Sequence, residues 1–243
     1  MVPIYKGGDR SAVSHYRPIS LTSVVCKQLE HVTVGYLRQV WDKNDWLYEG
    51  QHGFRPGYSC ESLVITVCQD IADSLDEGDG IDVIVIDISN AFDLVPHDRL
   101  LMKLVGSGVD LRTVIWVREF LVGCTQRVRV EGQLAQEVKV NSGVPQGSVL
   151  GPLLFLVYIN DILRNIDLSI RLFADGKITN KNDTEKLQKD LDTLGEWAIE
   201  NGMKINPVKS KAINLRELGL KVHWVTLLVL IKYRKQAAVN TWE

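Results

Sequence analysis

The chain has 243 residues, 45% of them hydrophobic and 24% charged, which suits one large or two small globular domains with a real core. Its 28 Lys and Arg against 30 Asp and Glu leave a net charge of −2, so composition alone does not point to nucleic acid, and any basic surface must come from segregated charges. Cys26, Cys60, Cys68 and Cys124 form no CxxC pair, which argues against a zinc site or disulfide scaffold and fits a reducing compartment. No apolar leader opens the chain, and its longest apolar runs, 149–159 and 225–231, fall short of the ~20 residues of a membrane helix. The expected location is intracellular, cytoplasmic or nuclear, neither secreted nor transmembrane.

Residues 2–5 read as a strand leading into a Gly-rich turn with Lys6 and Arg10, then Tyr16, Arg17 and Pro18. Lys6 beside Gly7 and Gly8 suits a flexible cation over a phosphate, and Arg17 a bidentate grip; a solvated hairpin tip would use the same residues. Over 20–41, Leu21, Val24, Val25, Leu29, Val32, Tyr36, Leu37 and Val40 keep the spacing of one apolar helix face, with Ser20 or Thr22 as N-cap. The loop 51–59 carries Arg55 and feeds a second helix to about Leu75, with Leu63, Val64, Val67, Ile71 and Leu75 inward. Gly78, Asp79 and Gly80 are expected to end it.

The stretch 82–98, DVIVIDISNAFDLVPHD, is the centre of the chain. Val83, Ile84, Val85 and Ile86 read as a strand covered on both faces, delivering Asp87 to its tip. An ionised Asp there is costly to desolvate unless it meets a cation; it could equally cap the next turn. A Pro-started helix follows to about Leu104, then a helix over 110–122 and a half-exposed hairpin turning at Glu131 and Gly132. In 142–155, SGVPQGSVLGPLLF, three glycines and two prolines make a backbone that approaches something closely, with Gln146 held out on a small-residue turn, and then a helix to Leu163. A binding loop and a structural loop both account for it. Residues 170–175, IRLFAD, are a second strand ending in a carboxylate. A helix over 184–201, capped by Gly202, precedes the lysine-bearing MKINPVKSK.

Taken in order, VPIYKGG, YRPISL, QHGFRPG, VIVIDISNAFD, SGVPQGSVLGPLLF, RLFAD and MKINPVKSK resemble the reverse transcriptases of non-long-terminal-repeat retrotransposons, over residues 2–214. The resemblance implies an α+β fold, the fingers–palm part of a right-hand polymerase, with a small antiparallel palm sheet backed by helices. It divides the chain into a fingers-like segment (1–80), a palm-like segment (81–214) and an unmatched tail (215–243) without a thumb. It implies Asp87 and Asp175 as catalytic carboxylates, which with the Ile88 carbonyl would hold Mg²⁺. Two such ions about 3.5–4 Å apart clamp the attacking and leaving oxygens of phosphoryl transfer. Phe92 matches the steric gate against a ribose 2′-hydroxyl, Lys6 and Arg17 the triphosphate grip, and Gln146 the segment beneath the incoming nucleotide. Lys209 matches a lysine near the pyrophosphate, a candidate general acid. The implied partners are an RNA or DNA primer–template and deoxynucleotides.

Three departures bear on activity. The family's hairpin reads F/Y-A-D-D and runs on into a β-branched strand, whereas Gly176-Lys177-Ile178-Thr179-Asn180 follows Asp175 here. The second aspartate is missing, and the return strand is expected to be deleted with it. The family wording stops after Lys211, and the chain begins within the fingers, without the upstream endonuclease of autonomous elements. The expectation is an RNA-directed DNA polymerase domain by descent, impaired or inactive in this copy. The alternative is a non-catalytic nucleic-acid-binding remnant. An intron- or telomere-associated lineage agrees less well with SGVPQGSVLGPLLF and MKINPVKSK.

Overall fold

The computed structural model describes residues 1–77, 81–173, 175–181 and 184–214. The expected turn at 78–80 and the apolar run of the tail lie outside them. In chain order the elements are β1 (Val2–Tyr5), β2 (Tyr16–Ile19), α1 (Val24–Lys43), α2 (Cys60–Asp76), β3 (Ile81–Val85), α3 (Ala91–Leu94), α4 (His97–Gly106) and α5 (Leu111–Leu121). Then come β4 (Thr125–Gln126), β5 (Arg129–Val130), β6 (Gln133–Leu134), β7 (Val138–Lys139), α6 (Gly151–Ile159), β8 (Ser169–Phe173), β9 (Asp175–Lys181), α7 (Thr184–Glu200) and β10 (Lys211–Asn214). The fold is a mixture of helices and small antiparallel sheets, and the chain forms two compact units, each discontinuous in sequence.

The first unit comprises Met1–Leu47 and Asn90–Asn160. β1 and β2 pair antiparallel, with Ile4 opposite Arg17. Its centre is α6, apolar all round and buried from Leu153 to Ile159, as a helix enclosed by protein must be. Glu30 of α1, itself fully buried, caps this helix: its Oε2 accepts the N–H groups of Val149 (2.7 Å) and Leu150 (3.0 Å). The hairpin turn forms as expected, with Glu131 and Gly132 both at positive φ between β5 and β6.

Apart from Leu37, α1 buries the opposite side from the one its spacing predicts. Val34, Leu37 and Trp41 are buried with Glu30, while Val25 (71% exposed), Leu29 (53%), Val32 (73%) and Tyr36 (37%) face solvent. The helix carries two apolar stripes, and the bulk of Leu37 and Trp41 decides which one packs. Its N-cap is Ser23, whose hydroxyl accepts the Cys26 N–H, not Ser20 or Thr22.

The second unit comprises Tyr48–Ser89 and the described residues from Asp161 to Asn214. Its four-stranded sheet has the order β10-β3-β9-β8, all neighbours antiparallel. Alternation along β3 sends Ile81 and Val83 into a cluster with Leu63, Val67 and Ile71 of α2. Ile84 and Ile86 join Ile170, Leu172 and the α7 residues Leu187 and Leu194 on the other face. The strand is covered on both faces, as its β-branched run predicts. Ser59 caps α2 through a reciprocal box with Ser62.

The expected deletion of the return strand is not what the structure shows. β9 spans Asp175–Lys181 and lies between β3 and β8, hydrogen-bonded to both. Its sequence lacks an apolar period, but two flanking strands satisfy its backbone groups on both edges, which a strand requires more than it requires alternation. The helix expected to reach Leu163 ends at Ile159.

Candidate functional site

Asp87 stands two residues beyond the end of β3 and is 7% exposed. Its placement is fixed from the backbone. The Asp87 N–H donates to Ser210 Oγ (3.1 Å), and its carbonyl accepts the Asn206 N–H (2.8 Å). Ser89 N–H donates to the Lys204 carbonyl (2.8 Å), closing an antiparallel bridge between Ile88 and Ile205. In a bridge flanked by such bonds, the central residue's own N–H and C=O point away from the partner segment, so the Ile88 carbonyl is turned from Ile205.

Asn206 then makes the turn that aims Lys209. Its Oδ1 accepts the N–H groups of Val208 (3.1 Å) and Lys209 (3.2 Å), and its carbonyl accepts the Ser210 N–H (2.9 Å). The Lys209 ammonium lies 3.4 Å from Asp87 Oδ1 and 3.3 Å from Oδ2. The second distance is ion-pair range without hydrogen-bond direction: Oδ2 is a buried acceptor that receives no hydrogen bond. A buried carboxylate with an orphan oxygen suits a hard divalent cation, so Asp87 fits Mg²⁺. Among the described residues no group of three His, Cys, Asp or Glu side chains could hold a metal, and the Asp175 side chain lies outside them.

The backbone of Asp175 is described. It opens β9 and pairs with Phe173 of β8. The β3–β9 register runs from Ile81↔Lys181 to Val85↔Lys177. The pairing ends at Val85↔Lys177, two residues short of both Asp87 and Asp175.

The remaining candidates lie in the first unit. The Gly/Pro loop is stapled to the Phe92 segment: Val144 N–H donates to the Phe92 carbonyl (2.8 Å), Gly143 N–H to the Val95 carbonyl (2.8 Å), and Ser142 Oγ–H to the Asp93 carbonyl (3.0 Å). Buried His97 Nε2 lies 2.8 Å from the Gly143 carbonyl. Gly143 has φ +94°, and a Cβ there would sit 3.0 Å from the Asp93 backbone. The close approach predicted from the glycines is real, and what the loop approaches is this protein's own chain. Phe92 packs on Phe155 with ring centroids 4.8 Å apart.

Gln146 donates through Nε2 to Asp93 Oδ1 (3.0 Å), and its carbonyl accepts the Ser20 N–H (2.7 Å). Burial pushes the Asp93 carboxyl above the usual carboxylate range, while the Gln146 hydrogen bond and the Lys6 charge pull it down. Lys6 is exposed just past β1, its N–H bonded to the His15 carbonyl (2.8 Å), and Arg17 is half-buried in β2. Arg55, in the second unit, donates to the Tyr48 carbonyl (2.9 Å) and stacks on Tyr58, a structural use of this cation.

The structure thus gathers Asp87, Ile88 and Lys209 in one unit, and Lys6, Phe92 and Gln146 around Asp93 in the other. Sequence reasoning missed Asp93, Asn206 and Ser210. The Asn-Pro pair at 206–207 was the one available turn signal; Asp93 and Ser210 act through partners far away in sequence.

Residues 4–228 match the family described as reverse transcriptase (RNA-dependent DNA polymerase). The chain is 30% identical over 225 residues to the probable RNA-directed DNA polymerase from transposon BS of Drosophila melanogaster, covering 84% of this chain and 24% of that protein. It is 28% identical over 224 residues to the RNA-directed DNA polymerase from mobile element jockey of Drosophila melanogaster, covering 86% and 24%. The chain therefore spans about a quarter of these relatives' length. Among solved structures, apo telomerase from Candida tropicalis shares the fold at TM-score 0.57 and 15% identity, over 80% of this chain and 37% of that one. On the extent of the family match, the chain belongs to the reverse transcriptases.

Proposed function

We propose that the chain is the fingers–palm part of a retroelement's RNA-directed DNA polymerase, with 1–80 fingers-like and 81–214 palm-like. Asp87, Asp175 and the Ile88 carbonyl would hold Mg²⁺, which when bound offsets charge on the attacking 3′-oxygen and the leaving pyrophosphate. Lys6 and Arg17 hold the triphosphate of a deoxynucleotide, Phe92 closes the space a ribose 2′-hydroxyl needs, and Gln146 lies beneath the nucleotide and its template base. Lys209 gives a proton to the departing pyrophosphate. The polymerase acts on a primer–template inside the cell, in keeping with the free cysteines of the described residues.

What supports this reading is the β3–β9 register: it ends at Val85↔Lys177, and its offset continued two residues further would bring Asp87 opposite Asp175. Backbones of residues opposite each other on antiparallel strands lie about 4.5–5.5 Å apart, within the reach of a shared metal. Gly176 stands where the resemblance calls for a further aspartate, so this copy has little or no polymerase activity. Primer extension on an RNA template with Mg²⁺ or Mn²⁺ tests both parts. Template-dependent extension that vanishes in Asp87→Ala upholds the assignment and refutes the low activity. No extension, together with no salt-sensitive binding of a primer–template, refutes the polymerase reading in favour of a relic.

A further inference from the structure

We infer that Lys209 is an internal counter-cation for Asp87, and that its ammonium and a divalent ion compete for that one carboxylate. The inference rests on the reading of Asp87 as a metal ligand. Lys209 Nζ is 3.4 Å from Oδ1 and 3.3 Å from Oδ2, nearly equidistant, which is where a cation bridging both oxygens sits. The backbone carrying it is tied to Asp87 itself. Ser210 receives the Asp87 N–H, Asn206 donates its N–H to the Asp87 carbonyl, and Asn206 Oδ1 caps Val208 and Lys209 between those two bonds. The root of the lysine therefore cannot drift from the carboxylate.

Its tip can. The Lys209 side chain is 61% exposed, against 9% for Asp87, and four methylenes let the ammonium swing away without disturbing the turn. A buried carboxylate without a partner is costly, and among the described residues Lys209 is the cation paired with Asp87. A doubly charged ion with a demand for oxygen ligands answers the same cost more strongly. With an ion held by Asp87, the Lys209 ammonium would turn from the carboxylate into solvent, its backbone staying clasped. Metal binding and release of the lysine are then one event.

Mn²⁺ binding, followed by electron paramagnetic resonance of the free ion, tests this without any turnover. Lys209→Met is expected to bind Mn²⁺ about threefold to fivefold more tightly than the unaltered chain, the range set by a partly exposed ion pair. It is also expected to melt at a lower temperature in chelator-treated buffer, while Lys209→Arg stays near the parent in both measurements. Should Lys209→Met misfold by circular dichroism, Lys209→Gln is measured in its place. Binding by the neutral variant that is equal to or weaker than the parent's overturns the competition. Asp87→Asn separates the two levels of the argument. If it binds Mn²⁺ as well as the parent, the metal role of Asp87 falls. If it loses binding while the neutral variant is no tighter, the Lys209 inference alone falls.

Discussion

Replacing Glu30 by Ala should be among the most damaging single changes in the first unit. Glu30 is fully buried, and its Oε2 is the acceptor for the Val149 and Leu150 N–H groups at 2.7 and 3.0 Å. Truncation leaves the buried Leu150 donor and the part-buried Val149 donor unsatisfied, at about 1–3 kcal/mol each, so roughly 2–6 kcal/mol together. For a chain of this size that corresponds to a fall in melting temperature on the order of 5–20 °C. Glu30→Gln keeps an acceptor oxygen and loses only the charge assistance, about 1–2 kcal/mol. Urea unfolding followed by tryptophan fluorescence, for both variants, measures the difference. A Glu30→Ala loss below about 1 kcal/mol would refute the capping argument, as would a Glu30→Gln loss equal to it.

Gly143→Ala places a Cβ 3.0 Å from the Asp93 backbone at a φ of +94°, so a loss of about 1–3 kcal/mol is expected in the same assay. Gly35 lies inside α1 with open space, nothing within 4 Å, where an added Cβ would sit, and Gly35→Ala should instead stabilise by up to ~1 kcal/mol, read as a raised melting temperature. Hydrogen bonds from Thr113 and Tyr36 hold the Asp110 carboxyl down at about 2 from 3.8. Because its folded-state value is depressed, the stability it adds is complete above about 3.8 and lost as pH falls toward about 2. Asp110→Asn should therefore flatten the fall in stability across that window, and an unchanged slope would contradict the assignment.

What could be read from the sequence follows the range of the interactions involved. The β3 run, the helices starting near Ser59 and Asp110 and the turn at Glu131 and Gly132 depend on neighbours a few residues away, and all form as expected. α1 shows the limit of periodicity. Two stripes satisfy the same spacing, and the choice between them is made by partners elsewhere in the chain. β9 shows another limit, since a central strand is held by hydrogen bonds along both edges that its side chains do not advertise. Asp87 stands out as a charge at the tip of an apolar run, but that run alone leaves a turn cap equally open, and the metal role comes from the family resemblance. The clasp of Asn206 and Ser210 on its backbone does not stand out, because uncharged turn residues carry no such mark.

A helix with hydrocarbon on opposite sides has no arrangement in which a single neighbour keeps it dry. With Leu37 and Trp41 packed inward, the band of Val25, Leu29, Val32 and Tyr36 remains wetted in the native state. Water along that band is not released when the chain folds, so part of the unfolded polypeptide's insolubility survives folding. Ammonium sulfate, which strengthens apolar association, should precipitate the folded chain at a lower concentration than it does a Val25→Lys, Val32→Glu double variant.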